Sequence, residues 1–527
     1  MADSPQQGTG GGVRTVADAV AGALAARGIE HVWGVATRLG PVPDPVAGAV
    51  AAHPSLDLLA CAHGESAALA AGAQAQLTGR LAVCSAPAGA PAVQLLNGLH
   101  DAASGRTPLL AVCGRLPLTD PTADDAFALD LDALLADVAA FHRTVSSPGQ
   151  LRTLLEQAVA AALEDGGVAV LSLPHDVAAM PMPAPAVVDI TDATLAAARR
   201  AAGIAPEELE LVVQLLDEAQ RVSLLVGAEA APARQDVLAL ADRLAAPIVL
   251  TLRAKEGLEE GNPFAVGLTG PLGNPAAERA LEEADTLLLL GSGFPQRGWH
   301  PTGKNVIHVD TRAEDIGRRV AVDVPVVADP GPAVRLLAGR VAVRSDRDHL
   351  DRIRRAYTEW VAADTAGGGP AAAAAVAAVD GLAADDAVFT ADAGEPAAWL
   401  AGVVRMRGRR RLLDVSAPGA SANALPQAIG AATVHPDRQV VALTGADGLR
   451  TRLGELVTLA RLRLRVTVVA VEPGSADDAE ALAGVARAVG LRAGVVGADA
   501  HGDHGTHAVL GEALGATGPA LVVVRPG

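Results

Sequence analysis

The sequence predicts an α/β protein of three domains, each a mainly parallel sheet flanked by helices. Three observations carry that prediction. The chain has 527 residues, more than one hydrophobic core organises, at roughly 150 residues per domain. Short, continuously apolar runs alternate with amphipathic helical stretches, as strands buried on both faces do. Proline-rich and glycine-rich segments interrupt the alternation at two places.

Taken in order, MADSPQQGTGGG (1–12) reads as a disordered tail with no apolar signal-peptide core. A first domain follows over 13–180. Its helices are read at Val16–Arg27, Glu65–Leu77, Val93–Ala103 and Leu151–Leu163, and its strands in HVWGV, LDLLACA, LAVCSA, PLLAVCG and VAVLSLP. MPMPAPAVV opens an extended linker over 181–195. The central domain, 196–343, holds VSLLVGA, PIVLTL, DTLLLLGSG and NVIHVD, with a helix at Asp236–Leu244. A charged linker helix (344–375, helical over Ser345–Ala363) and the flexible-looking TAGGGPAAAA lead to a third domain, 376–527. That domain holds DAVFTADAG, RRLLDVS, QVVALTGADG, LRVTVVAVEP, GLRAGVVG and PALVVVRPG. The first and third domains share size and rhythm, which suggests a pair flanking the central one.

Composition narrows the function. A net charge of -18 argues against a nucleic-acid partner, which needs a basic face. No apolar run is long enough to span a bilayer, so no membrane partner is expected. Cys61, Cys84 and Cys113 each sit in an apolar run without metal-ligand spacing, which reads as buried reduced thiols in a cytoplasmic protein. Arg407, Arg409, Arg410 and Arg411 read as a solvated basic loop. His100 and His300 stand out, and His501, Asp503, His504 and His507 have the residue types of a metal site, although a glycine-rich exposed loop is the plainer reading.

Three stretches carry a resemblance. They are His63 to Gly114, Ala246 to Gly270, and DDAVFTADAGEPAAWL with RRLLDVSAPGASANALPQAIGAATVHPDRQVVALTGADG. Together they resemble the thiamine-diphosphate-dependent 2-oxo-acid enzymes, most closely the flavin-containing pyruvate oxidase and quinone-dependent pyruvate dehydrogenase branch, and acetolactate synthase. The resemblance implies a pyrimidine-binding domain, a central FAD-type domain and a diphosphate-binding domain. It also implies 2-oxo-acid decarboxylation, thiamine diphosphate with magnesium, FAD, and a homodimer or homotetramer.

Against that pattern several positions are rewritten. The family glutamate that bonds the aminopyrimidine corresponds to Gly64, with Glu65 one place late and so turned by about 100° on a helix. The aspartate ligand of the cation corresponds to Ala446, with Asp447 beside it. The asparagine ligand falls at Pro473, after Glu472. Asp447 and Glu472 together offer hard oxygen donors for an altered metal site, or are surface acids after their strands. The bulky wedge corresponds to Ser421. The glycine-rich turn has become SAPAGAPAV, and the segment after Glu472 is shortened. The central domain keeps more of the pattern. Arg253, Thr269, Gly270, Gly291, Gly293, Phe294, Arg297, Asp310 and Ile316 match the family's FAD-contacting stretches, where glycines let amides approach a pyrophosphate and an acid takes a ribose hydroxyl.

Two readings follow. One is a 2-oxo-acid enzyme with a remodelled site, in which Glu65, Asp447 and Glu472 replace the lost groups. The other is a non-catalytic or repurposed protein of the same fold that binds FAD or another nucleotide, or pairs with an active homologous subunit.

Overall fold

In a computed structural model, the structure describes residues 14–35, 44–120, 129–164, 166–182, 203–294, 301–363, 370–413, 422–497 and 504–525. These build three six-stranded sheets in which every paired strand is parallel. The first holds β1 His31–Val35, β2 Asp57–Cys61, β3 Ala82–Ala86, β4 Leu109–Arg115, β5 Ala139–Thr144 and β6 Val168–Pro174. The second holds β7 Val222–Val226, β8 Ile248–Leu250, β9 Ala265–Leu268, β10 Thr286–Leu290, β11 Asn305–Asp310 and β12 Val324–Val327. The third holds β13 Val388–Ala391, β14 Arg411–Leu413, β15 Val440–Gly445, β16 Val466–Val471, β17 Arg492–Val496 and β18 Ala520–Val524.

The first sheet runs β2-β1-β3-β4-β6-β5 and the third runs β14-β13-β15-β16-β18-β17. These are the same topology, as the similar rhythm of the two domains suggests. The second runs β12-β11-β10-β7-β8-β9. In each sheet a reversal of the strand order between two interior strands opens a crevice at the carboxyl ends, where doubly wound sheets hold ligands. The reversal lies between β1 and β3, between β7 and β10, and between β13 and β15. By compactness the chain divides into two units, one carrying the first sheet and the other the second and third.

Local chemistry sets the helices around these strands. Thr15 caps helix Val16–Ala26 through a capping box with Asp18, and Ser475 does the same with Asp478 for helix Ala476–Ala488. Leu288, Leu290, Ile307 and Val309 face one core of the second sheet, while Leu287, Leu289 and Val306 face the other. That two-sided burial explains why the strands read as unbroken apolar runs. No helix among the described residues is long and apolar enough to cross a membrane.

Several expectations are corrected. The stretch read as one helix, Val93–Ala103, is two: Ala90–Gln94 and Leu96–Ser104. PAAAA lies in helix Pro370–Leu382. His504 opens helix His504–Leu514, so His507 is helical; His501 and Asp503 lie outside the described residues. No group of three metal-binding side chains occurs among the described residues. The basic run is solvated only at Arg409, whose side chain is 86% exposed. Arg410 is 3% exposed, bonds Asp380 Oδ1 and the carbonyls of Ala383, Ala384 and Arg405, and stacks on Phe389 at 5.3 Å. Arg407 pairs with Asp380 and Asp385, and Arg411 with Glu256. The guanidinium fork satisfies several buried acceptors at once, which one-dimensional charge patterning does not reveal.

Candidate functional site

The expected site residues gather at the carboxyl edges of their sheets. In the third sheet β13 ends at Ala391 and delivers Asp392, while β15 ends at Gly445 and delivers Ala446, Asp447 and Gly448. Asp392 is buried; its Oδ1 accepts from the Ala424 amide at 2.8 Å, and Oδ2 accepts from the Thr444 hydroxyl. Burial pushes its carboxyl pKa up, against the Thr444 and Ala424 hydrogen bonds that lower it. Gly448 must be glycine here, because a Cβ would fall on Asp392 Oδ2 and lie 3.2 Å from Thr444 Oγ1. Asn423, fully buried, donates to the Ala391 carbonyl at 3.1 Å and to Gln427 at 3.0 Å, and its Oδ1 has no partner among the described residues.

Asp447 and Glu472 are brought together, and what joins them is Arg450. Its Nη1 bonds Asp447 Oδ1 at 2.9 Å, and its Nη2 bonds Glu472 Oε2. Glu472 is 3% exposed, and its other oxygen accepts from the Gly474 amide at 2.8 Å. Both oxygens of that carboxylate are therefore engaged without a metal. Ala446 is buried and offers no side-chain oxygen, and the exposed Pro473 offers neither a ligand nor an amide N–H. Helix Ala476–Ala488 begins shortly after β16, consistent with the shortened segment. Ser421 lies outside the described residues.

In the first sheet, β2 leads into helix Gly64–Thr78, capped by His63. Gly64 is buried against the short helix Ala90–Gln94. A Cβ there would lie 2.8 Å from Gln94 Cβ and 3.1 Å from the Pro91 carbonyl oxygen. Glu65 turns aside and accepts from Asn97 Nδ2 at 2.8 Å. The altered glycine-rich turn thus supplies the residues that fill the space beside Gly64. Gly64 and Ala446 thus bring no carboxylate to these two edges, and Glu65 is engaged by Asn97. Cys61, Cys84 and Cys113 are buried; burial pushes the Cys113 thiol up to about 12 and the Cys84 thiol well up too, which holds both as unreactive thiols. His100 lies in helix Leu96–Ser104.

In the second sheet the expected residues follow the carboxyl ends of two strand pairs on either side of β7: Arg253 after β8, Thr269 and Gly270 after β9, Gly291, Gly293 and Phe294 after β10, and Asp310 closing β11. Ile316 lies in the turn that follows β11. Arg297 and His300 lie outside the described residues. At the reversal between β7 and β10 a Cβ on Gly227 would overlap the Gly291 carbonyl, and one on Gly291 (φ 60°) would meet Glu229 Cβ at 2.8 Å. These glycines let the two loops close on each other. A Cβ on Gly293 would make only ordinary contact. Asp310 is buried, with its Oδ1 accepting from the Arg312 amide at 3.1 Å.

Sequence reasoning missed Arg450, Asp392 and Lys255. The first was signalled by its i,i+3 spacing from Asp447; the other two had no local signal.

Three parallel sheets with a repeated topology, and polar residues gathered at their carboxyl edges, define the class. Profiles of the thiamine pyrophosphate (thiamine diphosphate) enzymes match the chain three times: the N-terminal TPP binding domain over residues 14–131, the central domain over 209–337, and the C-terminal TPP binding domain over 392–477. YdaP of Bacillus subtilis (strain 168), a protein named for thiamine pyrophosphate, is 31% identical over 469 residues, covering 86% of this chain and 79% of that one. The pyruvate oxidase of Lactiplantibacillus plantarum is 26% identical over 464 residues, covering 85% and 75%. The acetolactate synthase of Arthrospira platensis is 26% identical over 496 residues, covering 87% and 82%. The chain belongs to the thiamine pyrophosphate enzyme family, on the side of pyruvate oxidase and acetolactate synthase.

Proposed function

We propose that this chain is a repurposed family member that does not carry out magnesium–thiamine diphosphate catalysis, and that its retained ligand site is the nucleotide crevice of the central sheet. One observation carries the first part: Arg450 pairs with both Asp447 and Glu472. A guanidinium held by both acids that the sequence offers as an altered cation site, Asp447 and Glu472, supplies positive charge but no open coordination position. Gly64, with no carboxylate and no room for one, supports the same reading. The placement of Arg253, Thr269, Gly270, Gly293 and Asp310 at carboxyl ends on both sides of β7, where the strand order reverses, supports an adenine nucleotide such as FAD in the central sheet. A homodimer or homotetramer, or pairing with an active homologous subunit, fits the family architecture.

Calorimetric titration of the full chain with thiamine diphosphate and magnesium tests the first part, and the expected result is no heat of binding. Magnesium-dependent binding at micromolar concentration would refute it. Flavin absorbance of the purified protein, or a rise in melting temperature with added FAD, tests the second; neither signal appearing would remove the nucleotide assignment.

A further inference from the structure

Lys255 is one of two lysines in the chain, with Lys304, and is 2% exposed. Its Nζ donates to the carbonyl oxygens of Leu400 at 3.1 Å, Ala401 at 2.6 Å and Val404 at 2.9 Å. The Glu259 carboxylate stands 3.5 Å away. Those carbonyls close the carboxyl end of helix Glu395–Gly402, where the backbone leaves acceptors unmet and a cation is favoured. An ammonium presents three tetrahedral N–H groups, and three carbonyls take them; a planar guanidinium does not match that arrangement. Elsewhere the chain relies on arginine, so the residue type fits the geometry of this position.

The surroundings make this contact a latch. Ala401 belongs to a core of the second sheet, and Leu252 packs against cores of both the second and third sheets. Around this seam Glu256 bonds Arg411 and the Leu412 amide, Glu259 bonds the Met406 amide at 2.8 Å and Arg405 at 3.3 Å, and Glu260 bonds the Gly408 amide at 2.9 Å. Lys255 is the buried member of this set. Helix Glu395–Gly402 points its other end toward the candidate site, because Gly394 and Glu395 directly follow the Asp392 segment at the carboxyl edge of β13.

We infer that Lys255 is a positioning residue: its ammonium fixes the helix Glu395–Gly402 from the central sheet, and so sets where Gly394 and Glu395 stand at the edge of the third sheet. The helix carries its own reporter. Trp399 is 1% exposed, and its indole N–H has no partner among the described residues. Trp33, in the first sheet and bonded to Gln74 at 2.8 Å, serves as the control.

The test is fluorine NMR of the full chain labelled with fluorotryptophan, with the Trp399 line assigned by Trp399→Phe, together with amide hydrogen exchange. In Lys255→Met, which keeps length and burial but removes the charge, the Trp399 line shifts or broadens. Exchange across Pro396–Val404 quickens about tenfold or more, while the Trp33 line is unchanged. In Lys255→Ala, added propylammonium restores the wild-type line and propanol does not. A wild-type Trp399 line and wild-type exchange in Lys255→Met, or equal rescue by propanol, would overturn the inference. Wild-type amide exchange in β10 and β16 shows that the unit carrying the second and third sheets stays folded in each variant, and the Trp33 line reports the same for the first sheet.

Discussion

Replacing Arg450 by glutamine tests the reading of the third-sheet edge most directly. The guanidinium bridges an exposed acid, Asp447, and a buried one, Glu472. The Asp447 contact is worth a few tenths of a kcal/mol, as exposed pairs are. The Glu472 contact is worth more, because its carboxylate would keep only the Gly474 amide as partner. Breaking a fully buried pair costs about 3–5 kcal/mol. Arg450 itself is 39% exposed, so water reaches the vacated position, and solvent screening brings the expected loss to about 1–2 kcal/mol. Urea unfolding should therefore show Arg450→Gln less stable by that amount. The double variant Arg450→Gln with Glu472→Gln should recover part of the loss, giving a coupling energy of about 1 kcal/mol in a double-mutant cycle. Removing the guanidinium also frees two carboxylates, so Mn²⁺ titrated by electron paramagnetic resonance should bind weakly to Arg450→Gln and not to the wild type. Equal Mn²⁺ binding by the two proteins, or no loss of stability in the single variant, would refute the argument that this guanidinium holds the cation position.

Two further outcomes follow from the packing. Gly64→Ala places a methyl group 2.8 Å from Gln94 Cβ, so it should cost about 1–3 kcal/mol of overpacking in urea unfolding, and Gly64→Glu should gain no thiamine diphosphate binding in calorimetry. His349 donates from Nε2 to Ser223 Oγ at 3.1 Å while Ser223 donates to the Ala280 carbonyl, and its buried Nδ1 has no partner among the described residues. Burial, reinforced by Arg352 and Arg221 and opposed by Glu283 and Asp285, pushes its pKa down from 6.5 to about 4. A depressed histidine binds its proton more readily in the unfolded chain, so its contribution is present above pH 6.5 and lost as pH falls toward 4, by about 3 kcal/mol in total. His349→Leu should be less stable than wild type at pH 7 and should narrow or reverse that gap at pH 4 in urea midpoints; a gap independent of pH would refute this.

The sequence by itself determined the three-sheet α/β architecture, because interior strands of parallel sheets are apolar on both faces and stand out as unbroken runs. The strands it left unread, β5, β9 and β12, all lie at sheet edges. Their runs are mixed (AAFHRT, AVGL, VPVV), since one flank of an edge strand has no neighbour and burial no longer dictates every residue. That Gly64 and Ala446 stand where the resemblance expects acids was equally legible, because a residue's identity needs no coordinates. Only tertiary structure decided what surrounds them. Gln94 and Pro91 fill the space beside Gly64, Arg450 reaches across to Glu472 on the next strand, and Lys255 closes a helix that begins at Glu395. Each of these contacts joins residues distant in sequence, and its energy depends on burial and on the direction of an N–H, quantities that a pattern of residue types does not carry.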